Sequence, residues 1–190
     1  MRIGLFSGSF DPIHIGHLII ADYMCQYAGL DEVWLSASPQ NPMKGSENIT
    51  EERHRIAMVK SAITGNIRLK YCNIESKMPL PSYTVNTLKT LSETYTKHEF
   101  SLIIGADNWL IFNKWKDYKY IIEKYRIMIY PRMGYDIKQS TLPAGVTLYD
   151  TPVIGISSTF IRDGFNGGKQ MNYYITEGVY KYIIKNSLYK

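Results

Sequence analysis

The chain has 190 residues, 45% of them hydrophobic and 21% charged, with a formal net charge of +5. That length suits one α/β domain with a full core and leaves little for a second, and the composition is that of an ordinary soluble globular protein. Lys and Arg are scattered rather than blocked, which argues against nucleic acid as a partner and suits a small anionic substrate. Cys25 and Cys72 lie far apart with no CxxC and read as buried free thiols in a reducing compartment. Met1-Arg2-Ile3 begins a strand without a signal-peptide pattern, and no apolar run is long enough to cross a membrane. A cytoplasmic protein with no membrane partner is expected.

The apolar run Ile3 to Phe6 reads as a first strand. Ser7-Gly8-Ser9-Phe10-Asp11-Pro12-Ile13-His14-Ile15-Gly16-His17 follows and leads into a helix with Leu18, Ala21, Cys25 and Ala28 on one face. In a parallel sheet this turn sits at the carboxyl edge of the strand, where ligands bind. A helix N-terminus there offers free N–H groups to phosphate. His14 and His17, three residues apart, add imidazoles that can hydrogen-bond a phosphate oxygen and, when protonated, offset its charge. The stretch is best read as a nucleotide-phosphate cradle. A metal site is the weaker reading, because no third His, Cys or patterned carboxylate completes one nearby; a histidine that merely caps the helix is the other.

Glu32 to Ser36 reads as a second strand, followed by the loop Pro39-Gln40-Asn41-Pro42-Met43-Lys44-Gly45 on the same edge. Lys44 is a candidate for a phosphate, although position alone favours a solvated loop lysine. Thr50 is expected to cap a helix with Glu51 and Glu52 in its first turn and Ile56, Val59 and Ile63 on one face. His54 and Arg55 on this helix are expected to face solvent. Ile67 to Cys72 reads as a third strand, so β-α-β-α-β is complete by about residue 72.

Ser82 is expected to cap a helix with Val85, Leu88 and Leu91 on one face, placing Tyr83 and Thr84 in its first turn. Phe100 to Ile104 is a strongly apolar fourth strand with Gly105-Ala106-Asp107-Asn108 just past its end. Asp107 there suits a ribose, or else caps a Trp109–Phe112 helix. Trp115 and Tyr118 to Ile122 suggest a short helix, Arg126 to Tyr130 a fifth strand, Pro131 to Pro143 a surface excursion, and Thr147 to Tyr149 a short sixth strand. Ile156-Ser157-Ser158-Thr159-Phe160-Ile161-Arg162 enters another helix, with small hydroxyls and an arginine at its start. This is either a second anion site or a serine cap with a surface arginine. A last helix covers roughly Thr176 to Lys185 with Val179, Tyr182 and Ile183 inward. The expected fold is α/β: a Rossmann-like, doubly wound parallel sheet of five or six strands in a single domain.

His14-Ile15-Gly16-His17 resembles the HxGH signature of the nucleotidyltransferase superfamily, and Gly8-Ser9-Phe10-Asp11-Pro12 narrows that to small adenylyl- and cytidylyltransferases. Pro39 to Lys44 resembles their post-strand lysine loop, with Met43 where a histidine often stands. Arg55-Ile56-Ala57-Met58 matches a recurrent Arg-x-x-Met. Pro81-Ser82-Tyr83-Thr84-Val85-Asn86-Thr87-Leu88 resembles the Ser-Tyr-Thr-x-Asp-Thr string of bacterial nicotinate-mononucleotide adenylyltransferases, with Asn86 in place of the aspartate. Ile104-Gly105-Ala106-Asp107, Trp115 and Ile156-Ser157-Ser158-Thr159-x-Ile161-Arg162 follow in order, so the resemblance covers nearly the whole chain.

The resemblance implies one nucleotidyltransferase domain over residues 1–190, with the part from about 150 to 190 carrying the Ile156–Arg162 motif and a closing helix. It implies transfer of the adenylyl group of ATP to nicotinate mononucleotide, giving deamido-NAD and pyrophosphate in NAD biosynthesis. Alternatives are a preference for nicotinamide mononucleotide or a non-catalytic nucleotide sensor of the same fold. His14, His17, Lys44 and Arg162 would be catalytic. Gly8, Ser9, Phe10, Gly16, Gly105, Asp107, Ile156, Ser157 and Ser158 would bind ATP. Tyr83, Thr84, Trp115 and the backbone at Lys116 would bind the mononucleotide, with Trp115 ahead of Trp109 as the stacking residue. Mg²⁺ would be held mainly by the ATP phosphates rather than by protein ligands. Homo-oligomer formation is left open.

Overall fold

The computed structural model describes residues 1–39 and 49–190. Its centre is a sheet of six parallel strands: β1 (Arg2–Gly8), β2 (Glu32–Ala37), β3 (Leu69–Tyr71), β4 (Glu99–Gly105), β5 (Arg126–Tyr130) and β6 (Val146–Leu148). Their spatial order is β3-β2-β1-β4-β5-β6. The order reverses between β1 and β4, and a crevice opens at the carboxyl ends of the strands on either side of such a reversal.

Helices cover both faces, which is why the strands are apolar on both sides. Along β1, Ile3 and Leu5 enter one core while Phe6 enters the other. In β4, Phe100, Leu102 and Ile104 point to the first core and Ile103 to the second. Gly4 is required between them, because a Cβ there would meet the Leu30 and Ile103 side chains at 2.5 and 2.6 Å. The face carrying Phe6 is covered by α1 (Ile15–Tyr27), α2 (Glu52–Ala62), α6 (Ser158–Asn166) and α7 (Glu177–Lys185). The opposite face is covered by α3 (Thr84–Thr94), α4 (Ala106–Trp109) and α5 (Tyr118–Lys124). Val85, Leu88 and Leu91 of α3, and Val179 and Ile183 of α7, are all buried as their spacing predicts.

Several local expectations are corrected. The residue before α2 is Glu51, not Thr50; Thr50 instead gives its N–H to Asp11 Oδ2 at 3.2 Å and its carbonyl to Arg55 Nε at 2.8 Å. Tyr83, not Ser82, precedes α3 and makes no side-chain cap. The helix after β4 is Ala106–Trp109, with Gly105 at its cap and Asp107 in its first turn. Arg55 does not face solvent: it is 1% exposed and donates to the carbonyls of Thr50, Ser9, Ser38 and Pro39. All four carbonyls belong to residues outside the strands and helices, and one rigid five-donor fork serves all of them. His54 is half-buried with Nδ1 3.0 Å from the Tyr182 hydroxyl. Cys25 and Cys72 are free and buried. No helix among the described residues is long and apolar enough to cross a membrane.

Candidate active site

A cavity of about 450 Å³ opens where the sheet order reverses. The end of β1 and the loop behind it supply Ser7, Gly8, Ser9, Phe10, Asp11, His14 and His17. The end of β4 supplies Gly105 and Asp107, the stretch before α5 Lys114, Trp115 and Lys116, and the start of α3 Tyr83 and Thr84. The start of α6 closes it with Ser157, Ser158, Thr159 and Arg162. Motifs that the sequence spreads from residue 7 to residue 162 therefore share one wall.

At the phosphate-like end the two imidazoles stack, with ring centres 3.7 Å apart. The His14 backbone N–H donates to His17 Nδ1 at 3.2 Å. With Nδ1 accepting, the proton of neutral His17 sits on Nε2. His14 is 4% exposed, and its Nδ1 is buried without a hydrogen-bond partner. Burial, helped by the Arg132 charge, pushes its pKa down to about 4. His14 is thus neutral at pH 7 in the free site, which favours, of the two roles open to an imidazole, the hydrogen bond to a phosphate oxygen over the offset of charge.

Phe10 adopts φ 45, unusual for a residue with a Cβ. It is buried, and its edge packs on His17 with centroids 5.0 Å apart. Gly16 and Ile156 do not line the cavity. A Cβ on Gly16 would sit 3.0 Å from His14 Nδ1, so this glycine makes room for the imidazole. Ile156 packs on the core beneath. Gly105 is a close-approach position of the same kind: a Cβ there would lie 2.4 Å from Asp107 Oδ1.

The motif at α6 is stitched onto the loop after β1. Ser157 caps the helix by accepting from Phe160 N–H at 3.1 Å, and Ser158 Oγ donates to Pro12 O at 2.9 Å. Arg162 Nη1 donates to Asp11 O at 2.7 Å. Of the two sequence alternatives for this stretch, the serine cap is present in Ser157, while Arg162 is not a plain surface arginine: it lines the cavity with its side chain 30% exposed.

At the other end, Trp115 packs on Phe112 with centroids 5.0 Å apart and leaves its Nε1 buried without a hydrogen-bond partner. Trp109 stacks on the same Phe112 ring with centroids 5.4 Å apart and does not line the cavity. Lys116 Nζ lies 4.5 Å over the Tyr83 ring, so its side chain, and not only its backbone, belongs to this end. Asn86 is on α3 and does not line the cavity. Lys44 lies outside the described residues.

Arg132 and Glu75 are among the lining residues that the sequence reading did not assign to the site. Arg132, two residues past β5 in what reads as a surface excursion, has Nε 3.7 Å from Asp107 Oδ1. Its position past a strand end was the available signal. Glu75, at a loop start, is 3% exposed and accepts from Ser7 Oγ at 2.8 Å. Burial raises its pKa to about 7 against the hydroxyl hydrogen bonds that lower it. Among the described residues no group of three or more His, Cys, Asp or Glu is arranged to hold a metal ion.

The chain matches the cytidylyltransferase-like family over residues 5–164. It is 43% identical to a Bacteroides fragilis protein named probable nicotinate-nucleotide adenylyltransferase, over 98% of this chain and 92% of that one. A Flavobacterium johnsoniae protein of the same name is 41% identical over the full length of both. Among solved structures, the Plasmodium falciparum nicotinic acid mononucleotide adenylyltransferase complexed with NaAD superposes with a TM-score of 0.84 at 24% identity, covering 99% of this chain and 97% of that one, and so shares the fold. With a parallel sheet, an HxGH helix start and full-length relatives in hand, the chain belongs to the cytidylyltransferase-like family, in its nicotinate-nucleotide adenylyltransferase branch.

Proposed function

We propose that this cavity transfers the adenylyl group of ATP to the 5′-phosphate of nicotinate mononucleotide, giving deamido-NAD and pyrophosphate in NAD biosynthesis, with residues 1–190 acting as one nucleotidyltransferase domain. The observation that carries the reading is that the imidazole–arginine end and the Tyr83–Thr84–Trp115 end line a single cavity. A donor triphosphate and an aromatic acceptor can therefore lie in it together.

An oxygen of the acceptor phosphate attacks the α-phosphorus of ATP, the new P–O bond forms, and the bond from the α-phosphorus to the α,β-bridging oxygen breaks, releasing pyrophosphate. The acceptor phosphate is an anion at neutral pH, so no strong base is needed. Catalysis is alignment and charge stabilisation. His14, a neutral ring in the free site, and His17 contact the triphosphate beside the Gly8–Ser9 backbone and Phe10, while Ser157, Ser158 and Arg162 hold the departing pyrophosphate. Asp107, fixed by Arg132, and the Gly105 backbone take the adenosine ribose. Gly16 and Ile156 act from behind the wall. Trp115 stacks on the pyridine ring, Thr84 and the backbone after Trp115 receive its carboxylate, and Lys44 faces the phosphates.

Mg²⁺ enters as the counter-ion of the ATP substrate and supplies charge neutralisation on the triphosphate. The cation Lys116 over Tyr83 supports a carboxylate rather than a carboxamide in the acceptor. The test is pyrophosphate release from ATP and Mg²⁺ with nicotinate or nicotinamide mononucleotide. Release with the first alone is expected; equal rates would remove the carboxylate assignment, and silence with both from protein that still binds ATP would favour a sensor.

A further inference from the structure

The Asp11 side chain collects partners from three distant parts of the chain. It is 3% exposed. Its Oδ2 accepts the Thr50 N–H at 3.2 Å and lies 4.0 Å from Arg162 Nη1. Its Oδ1 accepts from the Tyr189 hydroxyl at 2.6 Å, a contact spanning 178 residues. Burying a carboxylate is costly unless it is hydrogen-bonded and paired; here it is both, and the phenol is the shortest contact. Neither the substrate-facing motifs nor the family resemblance uses Tyr189.

The segment after α7 is shaped to deliver that hydroxyl. Ser187 at φ 52 and Tyr189 at φ 60 both take the left-handed region, which L residues with a Cβ disfavour. Leu188 and the Tyr189 ring pack on the core, the latter 6.3 Å from Phe165 of α6. Two unfavourable backbone conformations in three residues are held only where surrounding contacts over-determine them. The result is a phenol that reaches the carboxylate of Asp11, on the loop that carries His14, without itself lining the cavity.

We propose that Tyr189 is a positioning residue for the phosphate end of the site: by donating to Asp11 it fixes that carboxylate, and with it the loop carbonyl and guanidinium geometry of Arg162. This rests on the proposed adenylyl transfer, in which Arg162 holds the leaving pyrophosphate. Arg162 donates to the Asp11 carbonyl at 2.7 Å and faces its carboxylate, so a tilt of residue 11 moves the arginine directly. Without the phenol, the partners left to define the Asp11 rotamer among the described residues are the Thr50 N–H and a long ion pair to Arg162. Arg162 then loses its fixed aim while all cavity-lining side chains stay present.

The experiment is a double-mutant cycle on the full chain, read as kcat and KM for each substrate and as the thermal midpoint. Tyr189→Phe removes one hydroxyl and is expected to lower kcat about tenfold, the scale of one hydrogen bond to a charged group. KM for nicotinate mononucleotide should stay within twofold, and the thermal midpoint should be nearly unchanged because the ring remains packed. Combined with Asp11→Asn, the loss should be no greater than for Asp11→Asn alone, since coupled residues are non-additive. Should Asp11→Asn not fold, the same cycle with Arg162→Ala reads the same coupling. Tyr180→Phe, another tyrosine packed on Phe165, is the control. An unaltered kcat in Tyr189→Phe, a loss seen only in the thermal midpoint, or additive losses across the cycle would each overturn the proposal. Wild-type turnover in the same assay tests the underlying reaction separately.

Discussion

His14 is expected to work uncharged, and its surroundings set the size of that effect. Burial and Arg132 hold its pKa at about 4 instead of 6.5. That gap corresponds to about 3 kcal/mol against protonation in place. At pH 7 only about one molecule in a thousand would carry the imidazolium in the free site. A triphosphate would have to supply that energy before any gain from charge, whereas a neutral ring can hydrogen-bond to an oxygen at once. Replacement by Ala should therefore lower turnover by about a hundredfold to a thousandfold, as for loss of one fixed donor to developing negative charge. Replacement by Gln, which keeps a donor but cannot titrate, should retain far more activity. The assay is pyrophosphate release between pH 5.5 and 8, plotted as kcat/KM for ATP, which reports groups of the free enzyme. Wild type and His14→Gln should give parallel profiles, the titration of ATP itself being common to both. A wild-type inflection near 6.5 that vanishes in His14→Gln would show a charged histidine and refute the argument.

Trp115→Ala should raise KM for nicotinate mononucleotide by about tenfold, given that aromatic–ring stacking is worth roughly 1–3 kcal/mol, while Trp109→Ala should affect stability more than KM; movement of the ATP KM alone would contradict the stacking assignment. Glu75 has a folded pKa raised to about 7 from 4.5, so its contribution to stability is full below pH 4.5 and is lost as pH rises through 7. Glu75→Gln should accordingly gain up to about 3 kcal/mol relative to wild type between pH 5 and 8, and a constant difference in denaturant midpoints would rule this out. Arg55→Lys should destabilise by about 3 kcal/mol or more, because a single ammonium cannot reach the four carbonyls that the guanidinium spans; guanidinium chloride unfolding measures it, and a midpoint within error of wild type would remove Arg55 as the staple of these segments.

Strands and helices with strong apolar periodicity were legible from sequence because both sheet faces are buried, so β1, β4 and β5 read as continuous runs. Two of the expected caps were not, although the serine cap of α6 was: Thr50 and Ser82 have the chemistry of caps, but Thr50 is drawn into the Asp11–Arg55 contacts and Ser82 is buried beside the cavity. Arg55 sits one turn before Val59 on the flank of the apolar face of α2, where its charge alone argued for solvent, and the tertiary arrival of the Ser9 and Ser38 carbonyls makes burial favourable there. The motif residues at the strand ends were legible because parallel topology forces them onto one edge. Arg132, Glu75 and Tyr189 were not, since each enters from an irregular segment whose direction is set by long-range contacts rather than by local pattern.

The most direct measurement follows the phosphorus atoms. ATP labelled at the α-phosphorus, or separately at the γ-phosphorus, is incubated with Mg²⁺, nicotinate mononucleotide and the protein, and the products are separated. The account predicts the α-label in deamido-NAD and the γ-label in pyrophosphate, in equal amounts and with none left on the protein. An α-label found in free AMP, or attached to the polypeptide, would contradict direct transfer between two ligands held in one cavity.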